Sequence, residues 1–346
     1  MSGTSLDGID AAFIATDGVS RVERGPFLTL PYEPEFRERL RAVLGGRGAV
    51  AEVEHALTEA HAEAVRALLA RPGLGPVDLI GFHGHTILHR PAEGRTWQIG
   101  DGARLARLTG IDVVADFRSA DVAAGGEGAP FVPLYHRALA AGLARPLAIL
   151  NIGGVANVTW VGAGDEAVIA FDTGPGNAPI DDWMRLKTGQ IVDENGALAA
   201  RGKIDEEAVA RFLADPWFAR VPPKSLDRDD FTRFSPVHLA PADGAATLTA
   251  MTAAAIAAAS RHFPAPVERW LVTGGGRHNP TLMAQLGFRL GAPVAAVEAV
   301  GWDGDALEAQ AFAYLAARAV EGLPLSLPTT TGVRVPTCGG RLHPAR

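Results

Sequence analysis

The sequence has one cysteine and few features of a secreted or membrane protein. Cys338 has no partner for an intrachain disulfide, which fits a reducing compartment. The N-terminus lacks a charged leader followed by an apolar stretch, so no secretory signal is visible. The most apolar long stretch, residues 245–260, is mainly alanine and threonine and is shorter than a bilayer span. We therefore expect a cytoplasmic protein without a membrane partner.

Positive charge is also scarce. The formal net charge is −7, so the chain lacks the basic stripe with which proteins neutralise nucleic-acid phosphates. A Walker A motif, Gly-x-x-x-x-Gly-Lys-Ser/Thr, does not occur in the sequence, which excludes a P-loop nucleotide-binding protein. We expect a small-molecule ligand and no nucleic acid.

The composition is that of a packed globular protein. Hydrophobic residues make up 47% and charged residues 21%, and 346 residues are too many for one ordinary core. Short β-type runs alternate with helical patterns, which is typical of an α/β protein. Hairpin-like starts near residues 9 and 147 predict two domains of similar topology, at residues 1–132 plus 323–346 and at residues 133–322.

Three glycine-containing turns are candidates for nucleotide binding. Residues 3–10, Gly-Thr-Ser-Leu-Asp-Gly-Ile-Asp, combine small residues and hydroxyl donors with Asp7, which needs Mg²⁺ or ordered water beside a polyphosphate. Residues 151–159 hold two glycines flanked by asparagines, between two apolar strands. Residues 273–280 hold three glycines after a strand, a flat surface for a base or ribose. Ordinary turn chemistry is the alternative in each case.

A fourth motif, Phe-Asp-Thr-Gly-Pro-Gly-Asn at residues 171–177, opens a predicted helix. The first amides of a helix are unpaired and attract anions. Asn177 and Asp181 are four residues apart and share a helix face, whereas Asp182 points about 100° away. We therefore expect Asp181 to face the ligand and Asp182 to lie on a solvated face.

A polar constellation occupies the first half of the chain. It contains His83, His85, Thr86, His89, Gln98, Asp101, Asp116, Arg118 and Asp121. Histidines two apart on a strand share a face and suggest a metal site, but no cysteine and no Glu-x-x-His pattern adds ligands. A hydroxyl-rich ligand such as a sugar explains the set more simply, because it needs many directional polar contacts. A purely structural polar network is the other alternative.

A carboxylate on an apolar helix stands near the end of the chain. Glu308 is surrounded in sequence by alanine, leucine and phenylalanine, where an unpaired charge would be costly. It therefore requires a partner or a ligand. Asp305, just before it, can cap the same helix.

Taken together and in this order, these motifs resemble the anhydro-N-acetylmuramic acid kinase family, of the sugar kinase, Hsp70 and actin superfamily. The resemblance runs from Ser2 to Pro344. It implies an α/β fold of two RNase H-like (actin-like ATPase) domains flanking a nucleotide cleft. It also implies a homodimer that uses ATP and Mg²⁺ to open 1,6-anhydro-N-acetylmuramic acid hydrolytically and phosphorylate O6. The product, N-acetylmuramic acid 6-phosphate, belongs to peptidoglycan recycling.

The resemblance also assigns roles to residues. Asp181 matches the catalytic base. Sugar contacts are expected from His83, Thr86, Arg118 and Glu308. The nucleotide is expected at Gly3, Thr4, Ser5, Leu6, Asp7, Gly8, Ile9, Asp10, Asn151, Gly153, Gly154, Asn157, Gly174, Gly176, Gly274, Gly275, Gly276 and Asn279. Asp7 is expected to hold the metal through water.

One departure from the family concerns the first strand. The family carries a strand directly before its Met-Ser-Gly-Thr-Ser block, whereas Met1 already lies inside that block. We expect the strand that starts at Ile9 to have an exposed edge. Either the start was assigned late or the fold tolerates the loss at a cost in stability.

Three other functions fit the same residues less fully. One is a kinase of the same superfamily that acts on acetate or another sugar. Another is a nucleotide-binding sensor without turnover, although the helix-turn-helix module usual in such sensors has no place here. The third is a metal-dependent glycoside hydrolase that uses His83, His85 and His89.

Overall fold

The computed structural model describes residues 1–3, 6–164, 167–227 and 230–346. Thr4 and Ser5, predicted to bind phosphate, lie outside the described residues. The chain divides into two compact units, Met1–Ala141 with Asp305–Arg346 (unit 1) and Gly142–Gly304 (unit 2). Both units contain helices and strands, which confirms the predicted α/β class.

The elements follow one another in mixed order along the chain. The strands are β1 (Gly8–Thr16), β2 (Val22–Pro31), β3 (Leu79–Gly81), β4 (His85–Arg90), β5 (Arg95–Ile99), β6 (Asp112–Ala115), β7 (Leu147–Ile152), β8 (Val155–Val161), β9 (Val168–Pro175), β10 (Trp270–Thr273), β11 (Val294–Ala296) and β12 (Arg341–His343). The α-helices are α1 (Pro34–Ala42), α2 (Val50–Leu69), α3 (Gly102–Thr109), α4 (Ser119–Ala123), α5 (Pro133–Leu139), α6 (Ala178–Thr188), α7 (Glu206–Leu213), α8 (Pro241–Ala259), α9 (Pro280–Leu290) and α10 (Leu307–Val320).

Unit 2 is built on a five-stranded sheet. The strand order is β11-β10-β7-β8-β9. β7, β8 and β9 form an antiparallel meander, while β10 and β11 run parallel to β7. This order and these directions are those of an RNase H-like domain. β7 is apolar and almost wholly buried, as expected for the central strand of a covered sheet.

Helix α8 is the core helix of unit 2. Nearly all its side chains are buried, so it has no polar face. Threonine hydroxyls on this helix donate hydrogen bonds to backbone carbonyls. Thr249 Oγ1 donates to Ala245 O at 2.8 Å, and Thr252 Oγ1 donates to Gly176 O at 3.0 Å. Within the described residues, Pro241–His262 is the one helix whose length and composition would allow it to cross a membrane, and it is longer than the predicted stretch. Burial of 78% of its apolar window identifies it here as a core element.

Unit 1 contains three smaller sheets. They are the hairpin β1-β2, the hairpin β4-β5, and β12-β6-β3, in which β3 and β6 are parallel. Helix α10 packs against both β1 and β3, and α5 packs against α10. For this reason the compact units divide after Ala141 and Gly304, not at the predicted positions 132 and 323.

The outer edge of β1 is open over most of its length. Met1 and Ser2 pair with its first residues: Ser2 forms an antiparallel bridge with Ile9. The amino group of Met1 donates to Asp10 O at 2.8 Å. The carbonyl oxygen of Met1 accepts from Asp10 N at 2.9 Å. Beyond Asp10, β2 is the only described strand that pairs with β1.

Candidate active site

The β7-β8 turn of unit 2 lies against the start of α6. The N–H groups of Gly176, Asn177 and Ala178 donate to carbonyls of Gly153 and Gly154, at 2.8–3.2 Å. The prediction of unpaired amides at this helix start was therefore wrong for these three groups, because the hairpin carbonyls already accept from them. A Cβ on Gly176 would lie 2.3 Å from Gly153 O. Glycine is thus needed here for close packing.

The turn after β10 meets the same region. Gly274 has a left-handed φ of +74°, and a Cβ there would lie 2.4 Å from Asn151 Oδ1. Asn177 Nδ2 donates to Ile152 O at 3.1 Å, and a Cβ on Gly275 would lie 3.7 Å from that Nδ2. The structure therefore brings the predicted turns at residues 153–154, 174–176 and 274–276 together at one end of the sheet.

Strand register adds a polar row beside these turns. Asn151 pairs with Asn157 and with Thr273, and Asn157 pairs with Asp172. Paired residues of neighbouring strands share a face, so these polar side chains line one face of the sheet. Asp172, whose Oδ2 accepts from Leu226 N at 2.8 Å, was not among the predicted site residues. In the sequence, the only indication of a role for Asp172 is its position directly after an apolar run.

Asn279 has a different role. Its Oδ1 accepts from Leu282 N at 2.9 Å and so caps α9. That oxygen is already used inside the protein.

Asp181 lies in the first turn of α6 and is half-buried. Its N–H donates to Asn177 O at 2.9 Å, so its position depends on the helix start that the β7-β8 turn holds. The neighbouring Asp182 pairs with Arg185 at 3.0 Å, and both side chains are about half exposed. The interpretation of Asp182 as a solvent-facing residue is confirmed.

In unit 1, Arg118 and His83 form one hydrogen-bonded group. Arg118 Nε and Nη2 donate to His83 Nε2 at 3.1 and 3.0 Å, and Nη1 donates to Gly128 O at 2.6 Å. His83 Nδ1 lies 3.0 Å from Gly84 O, so the ring proton resides on Nδ1. Burial and the Arg118 charge hold the pKa of His83 well below its usual range. His83 is therefore neutral.

The guanidinium of Arg118 is fixed by its surroundings. It lies 5.5 Å from the ring centre of Phe131 and 6.0 Å from that of Phe312. Burial lowers the pKa of Arg118. Asp121, which is buried, accepts from Gly128 N at 2.7 Å and from Thr331 Oγ1 at 2.6 Å. Asp121 therefore positions the loop whose carbonyl accepts from Arg118, a role that the sequence did not reveal.

Two carboxylates complete this group. Glu308 lies one turn before Phe312 on α10, and its side chain is exposed to solvent. Asp10 accepts from Thr29 Oγ1 at 2.7 Å, and burial raises the pKa of its carboxyl. The charges of Arg118 and Asp10 both act on the Glu308 carboxyl, so unit 1 brings together three of the four predicted sugar residues.

Thr86, the fourth, belongs to a hydrogen-bond chain on the β4-β5 hairpin. Its hydroxyl accepts from Gln98 Nε2 at 3.2 Å, and the same nitrogen donates to Thr96 at 2.8 Å. His89 continues the chain, with Nδ1 3.0 Å from Thr96 Oγ1.

The structure also bears on the histidine metal hypothesis. His85 Nδ1 lies 2.9 Å from Ser2 Oγ, and His89 Nε2 lies 3.0 Å from Glu127 O. His83 is engaged by Arg118. Over the described ranges, no group of three or more His, Cys, Asp or Glu residues is placed to hold a metal ion. These histidines thus serve three separate hydrogen-bonded contacts.

Comparison with known proteins identifies the family. The sequence model of the anhydro-N-acetylmuramic acid kinase family matches residues 1–345. A relative of that description from Paramagnetospirillum magneticum is 59% identical over 99% of this chain and 98% of the relative. One from Rhodospirillum rubrum is 56% identical over 100% of this chain and 93% of the relative. A solved ROK family glucokinase from Streptomyces griseus is 14% identical, covers 91% of this chain and 98% of its own, and has a TM-score of 0.42, too low to inform the assignment. The chain belongs to the anhydro-N-acetylmuramic acid kinase family.

Proposed function

We propose that this protein is an ATP-dependent kinase that opens 1,6-anhydro-N-acetylmuramic acid with water and phosphorylates O6. Family membership supports the reaction. The observation that carries the assignment of residues is the meeting of the glycine turns with the start of α6, one turn before Asp181. The product is an intermediate of peptidoglycan recycling, and a cytoplasmic homodimer is the form we propose.

The nucleotide is assigned to the glycine turns and to residues 3–10. Glycine at 176 and 274 allows the backbones of these turns to pack closely together, and turns with so few side chains suit a phosphate chain or a ribose. Asn151 and Asn157 offer amides beside it from the central strands. Asn279 contributes to the nucleotide site indirectly, by capping α9. Its side-chain oxygen accepts from Leu282 N in that cap.

The sugar is assigned to unit 1. Arg118 is a fixed cation with donors directed into the group, and neutral His83 accepts from it. Glu308 offers an acceptor that solvent, and hence a hydroxyl group, can reach. Hydroxyl-rich ligands are bound by such convergent donors and acceptors. Thr86 would join them through the hairpin that carries it.

The reaction requires one general base. Asp181 takes a proton from water, the water oxygen bonds to the anomeric carbon, and the bond from that carbon to O6 breaks. O6 then bonds to the γ-phosphorus, and ADP leaves. The first half resembles glycoside hydrolysis through an oxocarbenium-like transition state, whereas the second needs mainly positioning and charge neutralisation.

Magnesium fits the acidic residues near the first turn. Mg²⁺ is usually bound by one or two carboxylates together with substrate phosphates and water, so a three-residue protein cluster is not required. Asp7 is exposed on that turn, and Asp10 is half-buried beside it. These two carboxylates would hold the ion, which neutralises charge on the phosphates.

The decisive experiment uses ATP and anhydro-N-acetylmuramic acid in oxygen-18 water. The proposal predicts label at C1 of the sugar, unlabelled phosphate on O6 and no sugar opening without ATP. Label in the phosphate, or ring opening without ATP, would contradict it. Acetate and other sugars serve as acceptor controls for the rival kinase activities.

A further inference from the structure

An arginine lies buried beside the glycine turn that follows β10. Arg277 belongs to the short 3₁₀ helix Gly275–His278, and only 3% of its side chain is exposed. Gly274 O accepts from Arg277 twice, from the backbone N at 3.2 Å and from Nη1 at 3.0 Å. A buried guanidinium requires a compensating charge, because its desolvation is costly.

Glu298 supplies that charge. Its Oε1 accepts from Arg277 Nε at 2.9 Å, and 47% of its side chain is exposed. Burial acts to raise the pKa of this carboxyl, but hydrogen bonds from its own amide and from Gly304, together with the Arg277 charge, hold the pKa below its usual value. Glu298 is therefore ionised at neutral pH and accepts a charge-assisted hydrogen bond from the arginine.

Gly304, the last residue of unit 2, joins the same group. Its N–H donates to Glu298 Oε1 at 3.1 Å, and its carbonyl accepts from Thr273 Oγ1, at the end of β10, at 3.0 Å. A Cβ on Gly304 would lie 2.5 Å from Arg277 Nε, so glycine is needed for this backbone to lie against the guanidinium. These contacts connect the end of β10, the glycine turn and the end of unit 2.

The backbone of Gly274 depends on such support. Its φ of 74° and ψ of 175° lie in a region that persists only where the surrounding contacts specify it. In a trans peptide the C=O and the following N–H point in opposite directions. Because Arg277 holds Gly274 O from the buried side, the N–H of Gly275 points away from the guanidinium.

We propose that Arg277 and Glu298 are positioning residues for the nucleotide: Arg277 orients the peptide between Gly274 and Gly275, and Glu298 acts through Arg277. This inference rests on the proposed assignment of the nucleotide to the glycine turns. A peptide that is already oriented offers its N–H to a nucleotide oxygen without a cost of ordering on binding. The ion pair therefore lowers the Kd for ATP and leaves the chemical step to other residues.

The first test removes the carboxylate. Glu298→Ala should raise the Kd for ATP, measured by calorimetry without sugar, at least about tenfold. Its kcat at saturating ATP and its KM for the sugar should stay within about twofold of the unmodified protein, because the lost contact affects nucleotide binding alone. The matched control is Glu206→Ala, which removes the carboxylate 2.8 Å from Arg289, another largely buried arginine of unit 2 near the end of α9. That control should bind ATP normally.

The second test separates positioning from stability. Glu298→Ala alone leaves the buried guanidinium without this carboxylate, so its urea midpoint should fall. Adding Arg277→Met removes the charge and keeps an apolar side chain of similar length, so the midpoint should recover. The Kd for ATP should nevertheless stay at least about tenfold raised, because Gly274 O still lacks the side-chain donor. If the single variant does not fold, the double variant provides the measurement of ATP binding.

Three outcomes would overturn this inference while the proposed function stands. They are normal ATP affinity in the folded double variant, recovery of ATP binding together with the urea midpoint, and an equal loss of affinity in Glu206→Ala. In each of them the unmodified protein still binds ATP and phosphorylates the sugar. An unmodified protein that neither binds ATP nor phosphorylates the sugar would refute the proposed function and, with it, the role of the ion pair.

Discussion

Replacement of Gly274 by alanine tests whether the glycine turns of unit 2 hold the nucleotide. The backbone of Gly274, with φ +74° and ψ 175°, lies in a region that is essentially restricted to glycine and costs an alanine about 1–3 kcal/mol of folding free energy. In addition, the new Cβ would lie 2.4 Å from Asn151 Oδ1, which can rotate away, and 2.7 Å from the backbone Ile152 O, which cannot. Ordinary contact begins at 3.4 Å, so the turn and β7 must separate by close to 0.7 Å. A displacement of about 1 Å at a site that positions reactants can lower the rate by about 100-fold.

Gly189 provides a control for a glycine with positive φ. Its φ is also +74°, but its ψ of 0° places it in the left-handed helical region, and nothing lies within 4 Å of its added Cβ. Gly189→Ala should therefore lose about 1–2 kcal/mol of stability, from the backbone alone, and keep its kinetics. Urea unfolding measures the stability of both variants, and a coupled ADP-release assay gives kcat/KM for ATP. If folded Gly274→Ala keeps the kcat/KM for ATP of Gly189→Ala, the glycine turns do not hold the nucleotide.

Two further changes test the base and a buried histidine. Asp181→Asn should abolish both half-reactions, a loss of rate of at least about 10²–10⁴-fold, but should still bind ATP in calorimetry. The control variant Asp182→Asn should stay active. Normal turnover by Asp181→Asn would exclude Asp181 as the base. Burial lowers the pKa of His136 to about 3 in the folded protein, whereas an exposed histidine has a pKa of about 6.5. Below about pH 6.5 the unfolded chain therefore binds a proton that the folded chain does not, and the free energy of unfolding falls by up to about 1.4 kcal/mol per pH unit. Urea midpoints between pH 4 and 6.5 should therefore slope less in His136→Asn, and an unchanged slope would refute this account.

Long, regular patterns allowed much of the fold to be predicted. The two apolar strands around residues 151–159, β7 and β8, and the helix that begins after residues 171–177, α6, appear where the sequence indicated them. Helix α1 was missed because it is strongly charged and buries only Leu40. The β4-β5 hairpin was missed because its strands carry polar residues on a hydrogen-bonded face. β12 pairs with β6 across most of the chain length, which local patterns cannot reveal.

The site was predictable where composition is unusual. Glycine clusters and lone polar residues in apolar runs indicated the turns, His83, Arg118 and Glu308. Roles that depend on distant pairing were not predictable: Asp172 joins its row through strand register, and Asp121 is held by Thr331, 210 residues away. The paired amides at the start of α6 likewise follow from the approach of a separate hairpin.

The all-round burial of α8 has a consequence for how its orientation is specified. A helix with an apolar stripe is held in one rotation by the cost of turning that stripe to water, but α8 has no such stripe. Directional bonds must then choose the rotation, and Thr252 supplies one by donating to Gly176 O. Replacement of Thr252 by valine would keep a similar shape but remove this bond, so α8 would lose one of the directional contacts that fix its rotation beside Gly176.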